Sequence, residues 1–429
     1  MDRLCVKPIE HRMIMPTTST GLSRPRTRGI VLDLIRSARR ISRVELVTAS
    51  GLTGGTISNV VRELIEDGLV IEAGRTESTG GKPRTLLELN ASARYTVGVQ
   101  LDRGSAVIVV VDLAGHLIAR TSMGGSGTRS PHDTLVMVAD HIESLLMTTG
   151  IDRADVLGVG FVTHGPQDSE RGTLLIGQPT EQWQNYPIVE DLETLVELPV
   201  MLDNDATAAA LGEFWIGGVH PSSTYAAIYM ASGIGGGVVV QGEPYRGSSG
   251  NGVEIGHISL DVDGPPCSCG NRGCLENFAG PTAVIARARM QPTLADRLGL
   301  TNGPTETVVN FARIARAASR GDSDARDIID ASARYIGKAA VSLANLFDLE
   351  LIVLAGPSFT SAGANYLARV QDELDRSVFV RHVHPTRVVL SASGADAAAV
   401  GGAVRVLQSE LTPLDLRKSD GRALTYTYQ

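Results

Sequence analysis

Between Thr27 and Leu89 the apolar residues recur with a helical period. Ile30, Val31, Leu34 and Ile35 mark one face of a first helix. Ser42 precedes a short second helix through Leu46 and Val47, and Glu45 stands at the capping-box spacing. Gly51 ends that helix, and Thr53 or one of its neighbours opens a third. Its Ile57, Val60, Val61, Leu64 and Ile65 fall at i, i+3, i+4, i+7 and i+8. Gly68 is placed to terminate it. Two strand-like runs follow, Leu69–Ile71 and Thr85–Leu89, joined by a polar, glycine-rich loop. The expectation is a winged helix-turn-helix head over residues 26–90, behind a leader, 1–25, that has no period and reads as disordered.

From Tyr95 the pattern becomes that of an α/β protein. Strands are expected at Tyr95–Gln100, Ala106–Val111, Leu117–Thr121 and Val156–Val162, with a helix over Pro131–Thr149. A second series starts with Tyr225–Met230, a glycine turn and Gly237–Gln241. The runs YTVGVQLDRGSAVIVVVDLAG and YAAIYMASGIGGGVVVQGEP share a strand–turn–strand plan, which suggests an internal duplication. A helix at Ala331–Leu346, strands at Leu351–Leu354 and Arg387–Leu390, and an Ala/Gly-rich terminal helix complete the body, 91–407. Its two lobes are expected at about 91–205 and 206–390, the terminal helix packing back and a polar tail occupying 408–429.

Composition narrows the class. Of 429 residues 43% are hydrophobic and 20% charged, which excludes a wholly disordered chain. Apolar runs such as Ala106–Val111 are far short of a membrane helix. The N-terminus has no apolar signal core either, so the expected location is the cytoplasm. Charge is uneven: the first 90 residues carry a formal +4, the remainder −12. A basic head on an acidic body implies that only the head meets a polyanion.

The third helix of the head supports that. Its outer face offers Thr53, Gly54, Gly55, Thr56, Ser58, Asn59 and Arg62. Small residues let a helix N-terminus enter a major groove closely. Hydroxyls and amides can hold phosphates, and Asn59 and Arg62 can reach base edges. Lys82 and Arg84 place two cations on the wing, suited to phosphates or a minor groove. Double-stranded DNA is the expected partner; an ordinary three-helix packing domain with a hairpin is the alternative.

The run GHISLDVDGPPCSCGNRGCLEN holds every cysteine of the chain except Cys5. His257, Cys267, Cys269 and Cys274 supply one imidazole and three thiolates, a tetrahedral set for structural zinc. Four protein ligands leave no place for an activated water, so the metal is expected to be architectural.

The string CSCGNRGCLE, preceded by EIGH, resembles the signature of the ROK family, which unites bacterial repressors and sugar kinases, and residues 95–407 follow that family's order. The resemblance implies an actin-like, hexokinase-like body of two α/β lobes around a cleft, and the winged head is similar to the repressor branch. It also implies a sugar site. Asn204 and Asp205 match the pair that in the kinases holds the sugar and takes a proton from the attacked hydroxyl. Glu254, His257 and Glu276 match the sugar-binding positions, His257 doubling as zinc ligand. Thr207 and Thr180 stand where the family usually has asparagines. Asp205 also reads as a helix N-cap.

Hexokinase-like enzymes carry a D-x-G-G-T hairpin that manages phosphates and magnesium. Here it is Gln100–Leu101–Asp102–Arg103–Gly104–Ser105: Gln100 replaces the carboxylate and Asp102 the first glycine. A carboxylate at the close-approach point repels phosphate. The second hairpin, with Gly233, Gly235 and Gly236, keeps the residues of a phosphate cradle. The expectation is therefore a non-enzymatic, sugar-responsive regulator, dimeric or tetrameric on an inverted repeat, binding a sugar or sugar phosphate. An ATP-dependent sugar kinase with a DNA-binding head is the alternative, and a body that docks a protein partner is a third.

Overall fold

Local capping builds the head. In the computed structural model, which describes residues 24–75, 83–177, 179–216, 223–240, 242–303 and 305–411, Ser42 and Glu45 close a reciprocal capping box over the helix Arg43–Ser50. Gly51, at φ 69°, ends it in the left-handed conformation that favours glycine. Thr53 caps the third helix, Gly54–Glu66, which buries Ile57, Val60, Val61 and Leu64. The first helix spans Arg24–Ala38 and starts inside the expected leader. Pro25 is tolerated there because a first-turn N–H has no helical partner to lose. The wing pairs Val70–Arg75 with Thr85–Leu89 antiparallel, and Ile41–Ser42 adds a third short strand. Lys82, the rest of the wing tip and Cys5 lie outside the described residues.

The body repeats one plan twice. In the first sheet, Ser105–Asp112 pairs antiparallel with Tyr95–Leu101 on one side and Leu117–Gly124 on the other. Val156–Thr163 and Val200–Asn204 continue it in parallel from Tyr95–Leu101. In the second, Tyr225–Met230 takes the place of Tyr95–Leu101. It pairs antiparallel with Ile234–Val240 and parallel with Leu351–Ala355, beyond which Arg387–Leu390 forms the far edge. The strand orders correspond position for position, so the two halves are structural repeats.

Two helices of small residues lie between the sheets, Asp205–Ile216 and Ala397–Leu411. Gly98 and Gly160 are neighbours in the first sheet. A Cβ on either would run into a carbonyl of the terminal helix, Ala399 or Gly402 respectively. Glycine is what lets that helix lie directly on the strands. The helix continues to Leu411, past the expected start of the tail at 408, because Leu407 and Gln408 are buried.

The return strand of the second hairpin begins at Ile234, three residues before the expected Gly237. Gly235 and Gly236 pair with Tyr229 and Ile228, so the turn itself is confined to Ala231–Gly233. These glycines serve packing: a Cβ on Gly237 would lie 2.7 Å from the carbonyl oxygen of Ala206. The helix expected at Ala331–Leu346 runs over Ser323–Phe347, capped by Asp322 through the Ala325 amide.

The head is not tethered by a free linker. Val31, Leu32 and Ile35 of its first helix share a buried apolar cluster with Leu211 and Trp215 of the body. Arg36 donates from Nη1 to the Trp215 carbonyl at 2.9 Å, and its guanidinium stacks 4.2 Å from the centre of the Trp215 ring. Asp33 holds the other edge of the guanidinium at 2.7 and 2.9 Å.

Candidate functional site

At the C-terminal end of Val200–Asn204 the chain turns directly into the helix Asp205–Ile216. The Asn204 side-chain oxygen accepts from the Ala206 and Thr207 amides at 3.0 and 3.1 Å. Asn204, and not Asp205, is thus the helix cap. Asp205 is left as a buried carboxylate, 7% exposed, with one oxygen on the Ala206 amide. Burial pushes its pKa up to about 6; Asp102 and Glu254 add to the rise, and His164 opposes it. Glu254 is likewise raised by desolvation and by Glu276, against His257. Asp205, Glu254, His257 and Glu276 are therefore linked through one another's charges. Asp102 and His164, the latter absent from the sequence-based set, join them. The His164 Nδ1 is 4.0 Å from the Asp102 carboxylate.

The second sheet's hairpin closes the other wall. The Glu276 carboxylate lies 3.5 Å from the Ile234 amide and against Gly233. Two lobe-to-lobe links span the cleft. Arg246 makes a bidentate ion pair with buried Asp203 at 2.6 and 2.9 Å. The Asn251 side-chain amide exchanges two hydrogen bonds with the Gln167 backbone, at 2.7 and 3.0 Å. Neither link, nor buried Tyr229 beside Asp205 and Asp102, carries a local sequence signal. They arise only from the meeting of distant segments.

His257, Cys267, Cys269 and Cys274 come together with their four ligand atoms within 4.8 Å of one another, so the group could hold a metal ion. The knuckle is set by close backbone packing: Gly273, at φ 63°, carries no Cβ because Asp261 occupies that space. Backbone pairs Leu260–Gly273 and Leu275–Ile258 stitch its two ends. Desolvation raises the Cys267 thiol, but hydrogen bonds from Cys269 and His257 outweigh it and bring its pKa down to about 7. Burial drives Cys274 up to about 12. A divalent cation is the partner that would hold all three as thiolates. The knuckle also sets the cleft, since His257 follows Glu254 by three residues and Cys274 precedes Glu276 by two.

The first hairpin is closed on itself. The Arg103 N–H donates to the Asp102 carboxylate at 2.6 Å, and the Asp102 N–H to the Ser105 carbonyl at 2.9 Å. At its tip, a Cβ on Gly104 would lie 2.7 Å from the Thr305 carbonyl oxygen.

In the head, Thr53, Ser58, Asn59 and Arg62 of the third helix are exposed and Thr56 is half-buried. The Thr53 oxygen is engaged as cap to the Thr56 amide, and the Ser58 hydroxyl is spent on the Gly54 carbonyl. Arg62 donates to the Asn59 side chain at 3.0 Å. Such an exposed pair is weak and exchanges readily for other partners. Arg84 is exposed at the base of the wing.

A two-lobed body with a winged helix-turn-helix head defines the class, and the comparisons place it. The model of the ROK family matches residues 96–410, and a winged helix-turn-helix DNA-binding model matches 24–71. The chain belongs to the ROK family. It is 30% identical over 382 residues to the putative xylose repressor of Caldicellulosiruptor sp. strain Rt8B.4, covering 89% of this chain and 95% of that one. A solved ROK family transcriptional regulator, a homologue of the E. coli MLC protein, superposes with a TM-score of 0.69 at 26% identity, over 90% of this chain and 97% of that one. The Streptomyces griseus ROK glucokinase, solved with glucose and AMPPNP, gives 0.60 at 29% identity over 72% and 98%.

Proposed function

We propose that this chain is a cytoplasmic, DNA-binding repressor of carbohydrate metabolism whose operator affinity responds to a sugar bound in the interlobe cleft. The observation that carries the reading is the joining of an intact reading helix to a kinase-like cleft whose first phosphate hairpin is filled. Thr53, Thr56, Ser58, Asn59, Arg62, Lys82 and Arg84 are the DNA-facing set. Asn204, Asp205, Glu254, His257 and Glu276 are the sugar-facing set, with carboxylates accepting from vicinal hydroxyls. Zinc is the metal that the Cys3His knuckle suits, as a structural ion. One winged helix covers a half-site, so the working form is a dimer or tetramer on an inverted repeat. No helix among the described residues is long and apolar enough to cross a membrane.

Operator titrations with and without sugar separate the two sites. Arg62→Ala should weaken DNA binding by about 10-fold or more, the scale of one lost base or phosphate contact, and leave sugar binding intact. Asp205→Ala should keep DNA binding and lose the sugar response. A full response in Asp205→Ala would place the effector elsewhere. The same geometry argues against catalysis. With Arg103's amide taken by Asp102, a coupled ATP assay over pentoses, hexoses and N-acetyl sugars should show no turnover above background. Ordinary turnover that Asp205→Asn abolishes would make the chain a kinase with a DNA-binding head.

A further inference from the structure

We propose that the cleft selects an uncharged sugar and that Asp102 is the residue that turns phosphate esters away. The inference rests on the reading of the cleft as a sugar site and names the chemical class of its ligand. A phosphate in such a fold is held by backbone N–H groups of a glycine hairpin, which approach it because no side chain intervenes. Here a side chain does intervene. The Asp102 carboxylate is 6% exposed, takes the Arg103 N–H that a phosphate would need, and presents its own negative charge in exchange. Beyond it the hairpin tip meets the Thr305 carbonyl, an acceptor that offers a phosphate nothing.

The rest of the cleft does not compensate. The charges that act most strongly on Asp205 include two carboxylates, Asp102 and Glu254, and one imidazole, His164. Arg246 and Arg405 are both turned onto Asp203. On the opposite wall the Glu276 carboxylate lies against Gly233. A dianionic ester on the hydroxyl nearest Asp205 would be set among like charges in a half-dry site, where Coulomb repulsion is screened far less than in water. An uncharged polyol meets the same oxygens as hydrogen-bond acceptors. Arg103 is the hairpin's own cation, and its Nε is buried without a hydrogen-bond partner. An ester bound despite Asp102 would have to use it.

The test is calorimetric titration of the full-length protein with xylose, glucose and N-acetylglucosamine, each paired with its terminal phosphate ester. The same pairs are run on Asp102→Asn, Asp102→Gly and Arg103→Ala. The expected result is that one free sugar binds, its ester binds at least about 100-fold more weakly, and both Asp102 variants narrow that gap by about 10-fold or more. Operator binding by each variant reports that it has folded. An ester that binds as well as its parent sugar, and loses affinity in Arg103→Ala, overturns the proposal. A gap unchanged in Asp102→Asn and Asp102→Gly removes Asp102 from the role. If no member of any pair binds while operator binding is intact, the sugar reading fails and the inference falls with it. That outcome is distinct from ester binding, which would leave the sugar site standing.

Discussion

Freshly purified protein should contain one tightly held zinc per chain, and Cys274→Ser should lose it together with the folded second lobe. Cys274 is fully buried, and the backbone on either side of it is paired to Ile258 and Ser259. Without the ion, three thiols and an imidazole within 4.8 Å have no common partner. Structural zinc contributes binding free energy of about 10–16 kcal/mol in small domains. That is comparable to the whole folding margin of a domain, about 5–15 kcal/mol. The expected signature is a loss of metal by elemental analysis and a fall of many degrees in the unfolding temperature of the body. Sugar binding should go as well, because the knuckle positions Glu254, His257 and Glu276. Cys267→Ser should act in the same direction less severely, since Cys267 is only half-buried and its loop is more open. Folded wild-type protein free of metal would refute the architectural role.

The knuckle was legible because its information is local. Three cysteines within eight residues and a histidine ten residues upstream state a coordination set without reference to the rest of the fold. The head was legible for the same reason: Ser42 with Glu45, Gly51 and Thr53 punctuate the chain one helix at a time. Elsewhere the punctuation misleads. Ile234–Gly236 reads as part of a turn, yet these residues form a strand, since a glycine needed for a helix to approach looks identical in sequence to one needed for a bend. The helix starting at Ser323 opens with a stretch dense in charged residues; its buried Ala325, Ile328 and Ile329 do fall at helical spacing, but the start of the helix is fixed only where Asp322 is seen to cap it.

The cleft was half legible. Asn204, Asp205, Glu254, His257 and Glu276 sit in motif-bearing strings; electrostatic interactions run from Asp205 to Glu254 and from Glu254 to His257 and Glu276, while Asn204 caps the helix beside them. The cap role read onto Asp205 belongs instead to Asn204, a shift of one residue that only the hydrogen bonds decide. His164, Gln167, Asn251 and Tyr229 have no motif and gain their meaning from contacts made at long range. Arg36 is the extreme case. On the sequence it is one arginine among several on the polar side of a first helix, a solvated charge by any local criterion.

That arginine marks the route by which the cleft should reach the DNA, and Arg36→Ala should uncouple the two. The helix Asp205–Ile216 has a cleft carboxylate at its first residue and Trp215 near its last. A rigid helix moves as a unit, so a lobe closure around a sugar at Asp205 would displace Trp215. There Arg36 is both stacked on the ring and bonded to the carbonyl, its side chain 8% exposed and its other face braced by Asp33. The head follows Trp215 because its own core, Val31, Leu32 and Ile35, continues into the same cluster. Sugar must bind one head position better than the other to shift anything, and the coupling typical of such systems is about 1–3 kcal/mol, or 5- to 150-fold in affinity. Arg36→Ala removes the stack and the hydrogen bond without touching either binding face. Sugar affinity measured in the absence of DNA should stay within about two-fold of wild type, while the sugar-induced change in operator affinity should shrink by about 10-fold or to nothing. Trp215→Phe, which keeps an aromatic face but loses the larger ring, should fall between the two. The double variant should add little to Arg36→Ala, as contacting residues in one linkage do. A wild-type sugar response in Arg36→Ala would show that the signal leaves the cleft by another path, through the terminal helix or through rearrangement of subunits.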